Sequence, residues 1–470
     1  MRQFKYQQLA QLFRDNIEQG IWLPHEKLPS IRALAAKYSL SKISVQHALQ
    51  SLESKQLIVA KPKSGYYVLP KQVASNNDNQ RYSIASPKQV TMPEIFYRIM
   101  EQGAAFDIAP NASDQDETSQ HIATLQRHLG RALRQSSYKK AMYYAPPAGS
   151  DALREQIVLH YQRRGLFVSA DDICISAGCQ NSLYLTLQSL CQPGDIVAVE
   201  SPAFYGVLQL LQHLHLKIIE IPSSYTQGID VDQLEQAAQK WPIKACIVTP
   251  NFATPTGAQM PQSHMKALLQ VAEQHNFLLL EDDIYGDLGF QQLTSPLKAF
   301  DQHEQVILCS SFSKALSRDL RIGWTINRKY AKQIAQTKLV NQLSTSQATQ
   351  DGLTSFLQEG HFERHLYQRR RQLLKQRDQL LATIKQYWRF EVRYTVPDGG
   401  IALWLTLPAI IDTLALYKEA LEQSILLTPG QLFSTEQTFS QNLRLSFAHP
   451  MNKERLAAFK TLGKLIKAKL

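Results

Sequence analysis

The sequence predicts an α/β protein: a mostly parallel sheet domain preceded by a small winged helix-turn-helix domain. Three observations predict it. From about residue 92, short apolar runs recur with helical stretches between several of them. The first 70 residues instead carry three short helical patterns and an alternating hairpin pattern. A polar stretch over residues 71–91 separates the two patterns.

In the N-terminal region, Leu9, Phe13 and Ile17 recur four apart, the spacing of one apolar helix face that ends at Gly20. Ser30 is placed to cap a second helix with inward positions Ile31, Leu34 and Ala35. Ser41 is placed to cap a third, with Val45, Ala48, Leu49 and Leu52 inward. Two short helices joined by a tight turn form a helix-turn-helix, whose second helix enters the DNA major groove. Residues 57–69 alternate around "KPKSG", as in a two-stranded wing bent at Gly65. The domains read as 1–70 for the DNA-binding module, 71–91 for a linker and 92–470 for the larger body. The linker assignment follows from a run rich in Asn, Ser and Gln that holds too little apolar surface to order itself.

In the body, the runs "DIVAVE", "KACIVTP", "FLLLEDD", "QVILCSS" and "RIGWTI" read as strands buried on both faces. The stretches "QNSLYLTLQSL" and "HMKALLQVAEQH" read as helices. Open sheets of this kind place ligands at the C-terminal ends of their strands.

The chain has 470 residues and a formal net charge of +11. Residues 1–70 hold ten Lys and Arg against four Asp and Glu, so +6 of that charge lies in the first 70 residues. A basic module on a nearly neutral body is the electrostatic footprint of nucleic-acid binding. No apolar run nears the roughly 20 residues that span a bilayer, and the N-terminus lacks a signal-peptide core, so a cytoplasmic location without a membrane partner is expected. Five cysteines without a CxxC pair argue against a disulfide framework or a zinc site, and no metal is expected. Cys174, Cys191, Cys246 and Cys309 read as buried thiols.

The run "SSFSKALSRDLRIGW" is the most informative. The primary amine of Lys314 can form an imine with a carbonyl, and burial frees its lone pair. Neighbouring serine hydroxyls and an arginine fork suit a phosphate dianion. Together they fit a carbonyl cofactor that carries a phosphate. "SAGCQNSLYLTL" is a turn that opens a helix, where backbone N–H groups and the dipole favour a phosphate. "ESPAFYG" follows a strand and offers an aromatic face for a flat ring. "EDDIYGDL" offers a carboxylate with a tyrosine three residues on.

The order of these motifs over residues 92–470 resembles the fold-type I, aspartate-aminotransferase-like enzymes that use pyridoxal 5'-phosphate. The segment "GIWLPHEKLPSIRALAAKYSLSKISVQHALQSLE" with "SGYYV" resembles the GntR-type winged helix-turn-helix. The two in one chain are similar to MocR-like transcriptional regulators. The resemblance implies Lys314 as the imine-forming, catalytic lysine. It implies Gly178, Cys179, Gln180, Ser311, Ser313 and Arg321 at the cofactor phosphate, with Cys179 standing where a small hydroxyl residue is usual. Phe204 would stack on the ring, with Tyr205 as the alternative. Asp282 would pair with the pyridine nitrogen, with Asp283 as the alternative. Tyr285 and Thr254 would reach the phenolic oxygen, Thr254 standing where the family has asparagine. Tyr144 would reach the phosphate of a neighbouring subunit, so a homodimer is expected. Arg444, on a late strand, would take an α-carboxylate of a substrate or effector.

In the head, Ser30, Arg32, Ser41, Lys42, Ser44, Gln46 and His47 lie at helix starts or on the recognition face. Arg32 and Lys42 suit phosphates, and Gln46 or His47 suits base edges. Lys61 and Lys63 would let the wing touch the DNA backbone or minor groove. Two functions follow as expectations. One is a transcription factor whose large domain senses pyridoxal phosphate or an amino-acid adduct of it. The other is an active aminotransferase carrying a DNA-binding head.

Overall fold

Apolar residues four apart make Lys5–Glu18 a helix that buries Leu9 and Phe13. A computed structural model of the chain describes residues 5–18, 22, 27–38, 40–54, 57–61, 65–68, 85–90, 96–97, 99, 108–109, 120–136, 142–436 and 438–470. The chain divides into two units, 1–80 and 81–470.

In the first unit the helices Ile31–Tyr38 and Lys42–Ser54 follow the Ser30 and Ser41 caps. Ser30 Oγ accepts from Ala33 N at 3.2 Å and Ser41 Oγ from Ser44 N at 3.1 Å, satisfying donors that a helix start leaves open. Val45, Ala48, Leu49 and Leu52 are buried against Phe13 and Leu34 in one core. Strands β1 (Ile58–Lys61) and β2 (Gly65–Val68) pair antiparallel, with Lys61 opposite Gly65. Gly65 opens β2 at φ +113 rather than occupying the middle of the bend.

The second unit begins earlier than the sequence pattern suggests. β3 (Lys88–Gln89) pairs antiparallel with β6 (Lys217–Ser224) at the edge of the large sheet, and Val90 beside it is buried. These residues fell within the expected linker. An edge strand needs only backbone donors and acceptors, so a polar composition does not exclude it. The rest of the sheet comprises β4 (Ile173–Ser176), β5 (Ile196–Ser201), β7 (Gly228–Ile229), β8 (Ile243–Val248), β9 (Leu278–Asp282), β10 (Val306–Ser311) and β11 (Gly323–Ile326). The order is β3-β6-β5-β8-β9-β10-β11-β4, with β7 paired to β6. From β6 to β10 every neighbour is parallel, whereas β11 runs antiparallel to both β10 and β4.

Both faces of this sheet are covered, which explains the continuous apolar runs. In β5, Val197 and Val199 join one core and Ala198 the other. The alternation repeats in β8, with Ala245 and Ile247 on one face and Cys246 and Val248 on the other. Cys174, Cys246 and Cys309 are buried thiols, and Cys191 is half-buried.

A second, four-stranded antiparallel sheet follows the long helix His361–Tyr387. It holds β12 (Arg393–Tyr394), β13 (Ala402–Thr406), β14 (Thr428–Pro429) and β15 (Asn442–Ser446) in the order β12-β13-β15-β14. Among the described residues no helix is long and apolar enough to cross a membrane.

Candidate functional site

The ends of β5, β8, β9 and β10 turn toward one region. β9 ends at Asp282, which is 6% exposed and accepts from Cys179 Sγ at 3.1 Å and Ile284 N at 3.3 Å. Burial pushes its carboxyl up to about 6, opposed by the Cys179 contact. The adjacent Asp283 is committed elsewhere. Its two oxygens meet Arg164 Nη1 and Nη2 at 2.5 and 2.8 Å, and Tyr161 OH donates to it at 3.0 Å. Of the two candidate carboxylates, Asp282 is therefore the one not taken up by a guanidinium fork.

Lys314 follows β10 in the turn that begins at Phe312. It lines a cavity of about 460 Å³ together with Ser313, Arg318, His365, Arg369 and His449. Burial pulls the amine down to about 7, helped by the guanidinium groups of Arg318 and Arg444 and opposed by Asp282. An amine with that pKa is substantially neutral at neutral pH, the condition for attack on a carbonyl.

At the start of helix Cys179–Leu190, Gly178, Arg321 and Gly323 approach one another closely. Gly178 caps this helix at φ +103. A Cβ there would lie 2.8 Å from Arg321 Nη2, and a Cβ on Gly323 would lie 2.5 Å from the Gly178 carbonyl carbon. Only glycines let the turn and β11 approach this closely. Arg321 itself adopts φ +48, and its Nη2 donates to Ala177 O at 2.8 Å, which keeps the guanidinium against the helix start. Ser311 Oγ accepts from Ser313 N at 3.3 Å. Ser313 Oγ is buried with no hydrogen-bond partner. A buried hydroxyl without a partner is costly unless a ligand supplies one.

At two of the expected phosphate residues the side chains have protein partners. The Cys179 side chain points to Asp282, and Gln180 Nε2 donates to Gly206 O at 2.6 Å. Both side chains are thus held by protein groups, and what they offer a phosphate is main-chain N–H at the helix start. Thr254 Oγ1 accepts from Arg444 Nε at 3.1 Å. Tyr285 is buried, and its phenol is pushed up to about 12 by burial, opposed by Arg444 and by a hydrogen bond with Thr254. Thr254, Tyr285 and Arg444 therefore form one polar cluster. Arg444 is 5% exposed on β15, opposite Trp404 of β13 and Thr428 of β14. Phe204 is half-buried at the start of helix Tyr205–His213, and its ring lies 4.5 Å from that of Tyr205, which is buried. Tyr144 is far more open, at 76% exposure, beside exposed Met142 and Tyr143.

Arg318 and the cavity wall from helix His361–Tyr387 were not singled out from the sequence. Arg318 was visible four residues after Lys314, but it resembles any loop arginine. His365 Nε2 lies 2.9 Å from Ala315 O, and burial holds its imidazole down to about 4. Nothing local in the sequence links it to Lys314.

These residues fit the phosphorylated aldehyde cofactor expected from the sequence. For a phosphate the chain offers helix-start N–H groups, the Arg321 fork and the unsatisfied Ser313 hydroxyl. Lys314 offers a neutral amine and Asp282 a carboxylate.

In the head, Arg32, Lys42, Gln46 and His47 are exposed on the two helices, and Ser30 and Ser41 spend their hydroxyls on capping. Ser44 is half-buried with Oγ 2.9 Å from that of Ser41. The side chain of Lys61, and Lys63 altogether, lie outside the described residues.

The fold and the site define a class I and II aminotransferase domain behind a winged helix-turn-helix. Residues 109–460 match the model for "Aminotransferase class I and II" and residues 5–68 that for "Bacterial regulatory proteins, gntR family". The chain belongs to the MocR-like family, in which these two domains share one chain. It is 35% identical to the uncharacterized HTH-type transcriptional regulator YjiR of Escherichia coli (strain K12), over 98% of both chains. It is 36% identical to the uncharacterized HTH-type transcriptional regulator YdcR of the same strain, over 99% of this chain and 100% of that one. Among solved structures, the kynurenine aminotransferase of Pyrococcus horikoshii superposes with a TM-score of 0.72 at 26% identity, over 81% of this chain and 96% of that one; it was crystallised with PMP, KYN and KYA. LysN, the alpha-aminoadipate aminotransferase of Thermus thermophilus complexed with N-(5'-phosphopyridoxyl)-L-leucine, gives 0.71 at 25% identity over 81% and 96%.

Proposed function

We propose that this chain is a DNA-binding transcriptional regulator whose aminotransferase-like domain binds pyridoxal 5'-phosphate and senses it, or an amino-acid adduct of it. The observation that carries the reading is the desolvated amine of Lys314, held down to about 7 beside a buried carboxylate, in a chain that also has a GntR-type head. When bound, the cofactor supplies an aldehyde on an electron-withdrawing ring. Lys314, as a neutral amine, would hold the cofactor through its aldehyde carbon and would carry a proton to or from the α-carbon of a bound amino acid. Asp282 would hold the proton of the ring nitrogen, and Tyr285 with Thr254 would serve the phenolic oxygen. Gly178, Arg321, Ser311 and Ser313 would hold the phosphate, with the main chain of Cys179 and Gln180. Arg444 takes the α-carboxylate of the effector as a fork.

The head binds a double-stranded operator in the cytoplasm, with Arg32 and Lys42 on phosphates and Gln46 or His47 on base edges. The exposed Met142, Tyr143 and Tyr144 support a homodimer in which this segment packs on the second copy. Effector binding biases a two-state equilibrium and so changes operator affinity. A basic head is of no use to a free-standing aminotransferase, so sensing is the favoured reading. The test is to offer the cofactor-loaded protein a panel of amino acids and α-keto acids. A spectral change that stalls after one equivalent supports sensing. Many turnovers per site would replace it with the enzymatic reading.

A further inference from the structure

Away from Lys314, three donors of metal-ligand type meet where two helices and a turn converge. His128 lies in the helix Gln120–Gln135 and is 4% exposed. Glu359 and His361 flank Gly360, between the helices Gln347–Gln358 and His361–Tyr387. Gly360 takes φ +68, a left-handed turn that joins the two helices. His128 Nδ1 lies 2.7 Å from Ser355 Oγ, which holds that nitrogen and leaves Nε2 for another partner. Nε2 lies 3.5 Å from Glu359 Oε2, and His361 Nε2 lies 3.2 Å from the same oxygen. The three ligand atoms all fall within 4.8 Å of one another. Arg131 Nη1 stands 3.9 Å from the other carboxylate oxygen, Oε1.

We propose that His128 Nε2, Glu359 Oε2 and His361 Nε2 bind one divalent transition-metal ion of zinc's class. Zinc binds imidazole nitrogen at about 2.0–2.1 Å and carboxylate oxygen at about 2.0–2.2 Å, so a tetrahedron sets neighbouring donors roughly 3.3–3.5 Å apart. The 3.5 and 3.2 Å separations have that size. Hydrogen bonding accounts for the His361 contact with Glu359 but less well for that of His128, because 3.5 Å is too long for a good N–H···O contact. Two imidazoles and one carboxylate suit zinc rather than magnesium or calcium, which take oxygen ligands. The Ser355 contact is the kind of outer support that fixes a ligating ring. Three protein ligands leave one position for water, and the Glu359 side chain is half-exposed there. The ion ties helix Gln120–Gln135 to the start of helix His361–Tyr387, one turn before His365 meets the carbonyl next to Lys314.

The test uses the full chain, stripped with a chelator and titrated with zinc chloride against a chromophoric competitor. The wild type retains one ion per chain. Ser355→Ala weakens binding about tenfold and His361→Ala or Glu359→Gln by about 100-fold or more, with unchanged circular dichroism. His361 and Glu359 carry the test because His128 is buried and its loss could disturb folding. Failure of the wild type to retain an ion overturns the proposal. So does equal retention by His361→Ala and Glu359→Gln, which would place the ion elsewhere.

Discussion

Lys314 owes its chemistry to its surroundings. Its pKa falls from 10.5 to about 7 through burial first and then through Arg318 and Arg444. Below about 7 the amine is protonated and cannot attack; above it, attack no longer depends on pH. The rate of pyridoxal phosphate uptake by the stripped protein should therefore rise with pH and level off above about 7, whereas a solvated lysine would rise to beyond about 10. Stability follows the same sign. Between about 7 and 10.5 the unfolded chain holds a proton on this lysine that the folded chain lacks, so its contribution to apo stability grows with pH across that window. Arg318→Ala removes one of the charges that depress this pKa, and the midpoint of the uptake profile should move upward. An unmoved midpoint would remove Arg318 from the account.

Single residues also mark what the sequence could and could not reveal. Lys314, Asp282, Tyr285, Arg321 and Arg444 were singled out from short motifs and from the family resemblance that those motifs carry. The partner of each was not. Cys179 was read as part of a phosphate-binding helix start, and no short window could show that its thiol meets Asp282, 103 residues away. Arg164 and Asp283 are separated by 119 residues, and no short window contains such a pair.

At the scale of elements, the five apolar runs coincide with β5, β8, β9, β10 and β11 because burial on both faces removes the polar alternation that would blur them. β3 escaped notice because an edge strand of two residues carries no periodicity. The Arg164–Asp283 pair ties the segment after helix Asp151–Gln162 to the loop after β9, with both side chains at most 1% exposed. Arg164→Ala would strand a buried carboxylate and should cost about 3–5 kcal/mol, measured by urea unfolding of the stripped protein. A loss below about 1 kcal/mol would mean that solvent reaches Asp283 readily. In the head, Ser41→Ala removes the acceptor for Ser44 N and should cost about 0.5–2 kcal/mol, read in the thermal unfolding of the full chain.

For the whole molecule, the uneven charge was legible by counting, and it makes a prediction about DNA. Arg32→Ala or Lys42→Ala should weaken binding to all sequences alike and lower the salt slope by about one. Gln46→Ala should instead relax preference at one position, by about 1–3 kcal/mol. Affinity measured over a salt series on operator and scrambled duplexes separates the two kinds of change.

The most direct measurement is borohydride reduction of the full-length protein loaded with pyridoxal phosphate, followed by peptide mass mapping. One pyridoxyl adduct per chain, on Lys314 and abolished in Lys314→Ala, is the predicted result. A reduced adduct spread over surface lysines, or one that persists undiminished in Lys314→Ala, would contradict the assignment of this lysine and the sensing role built on it.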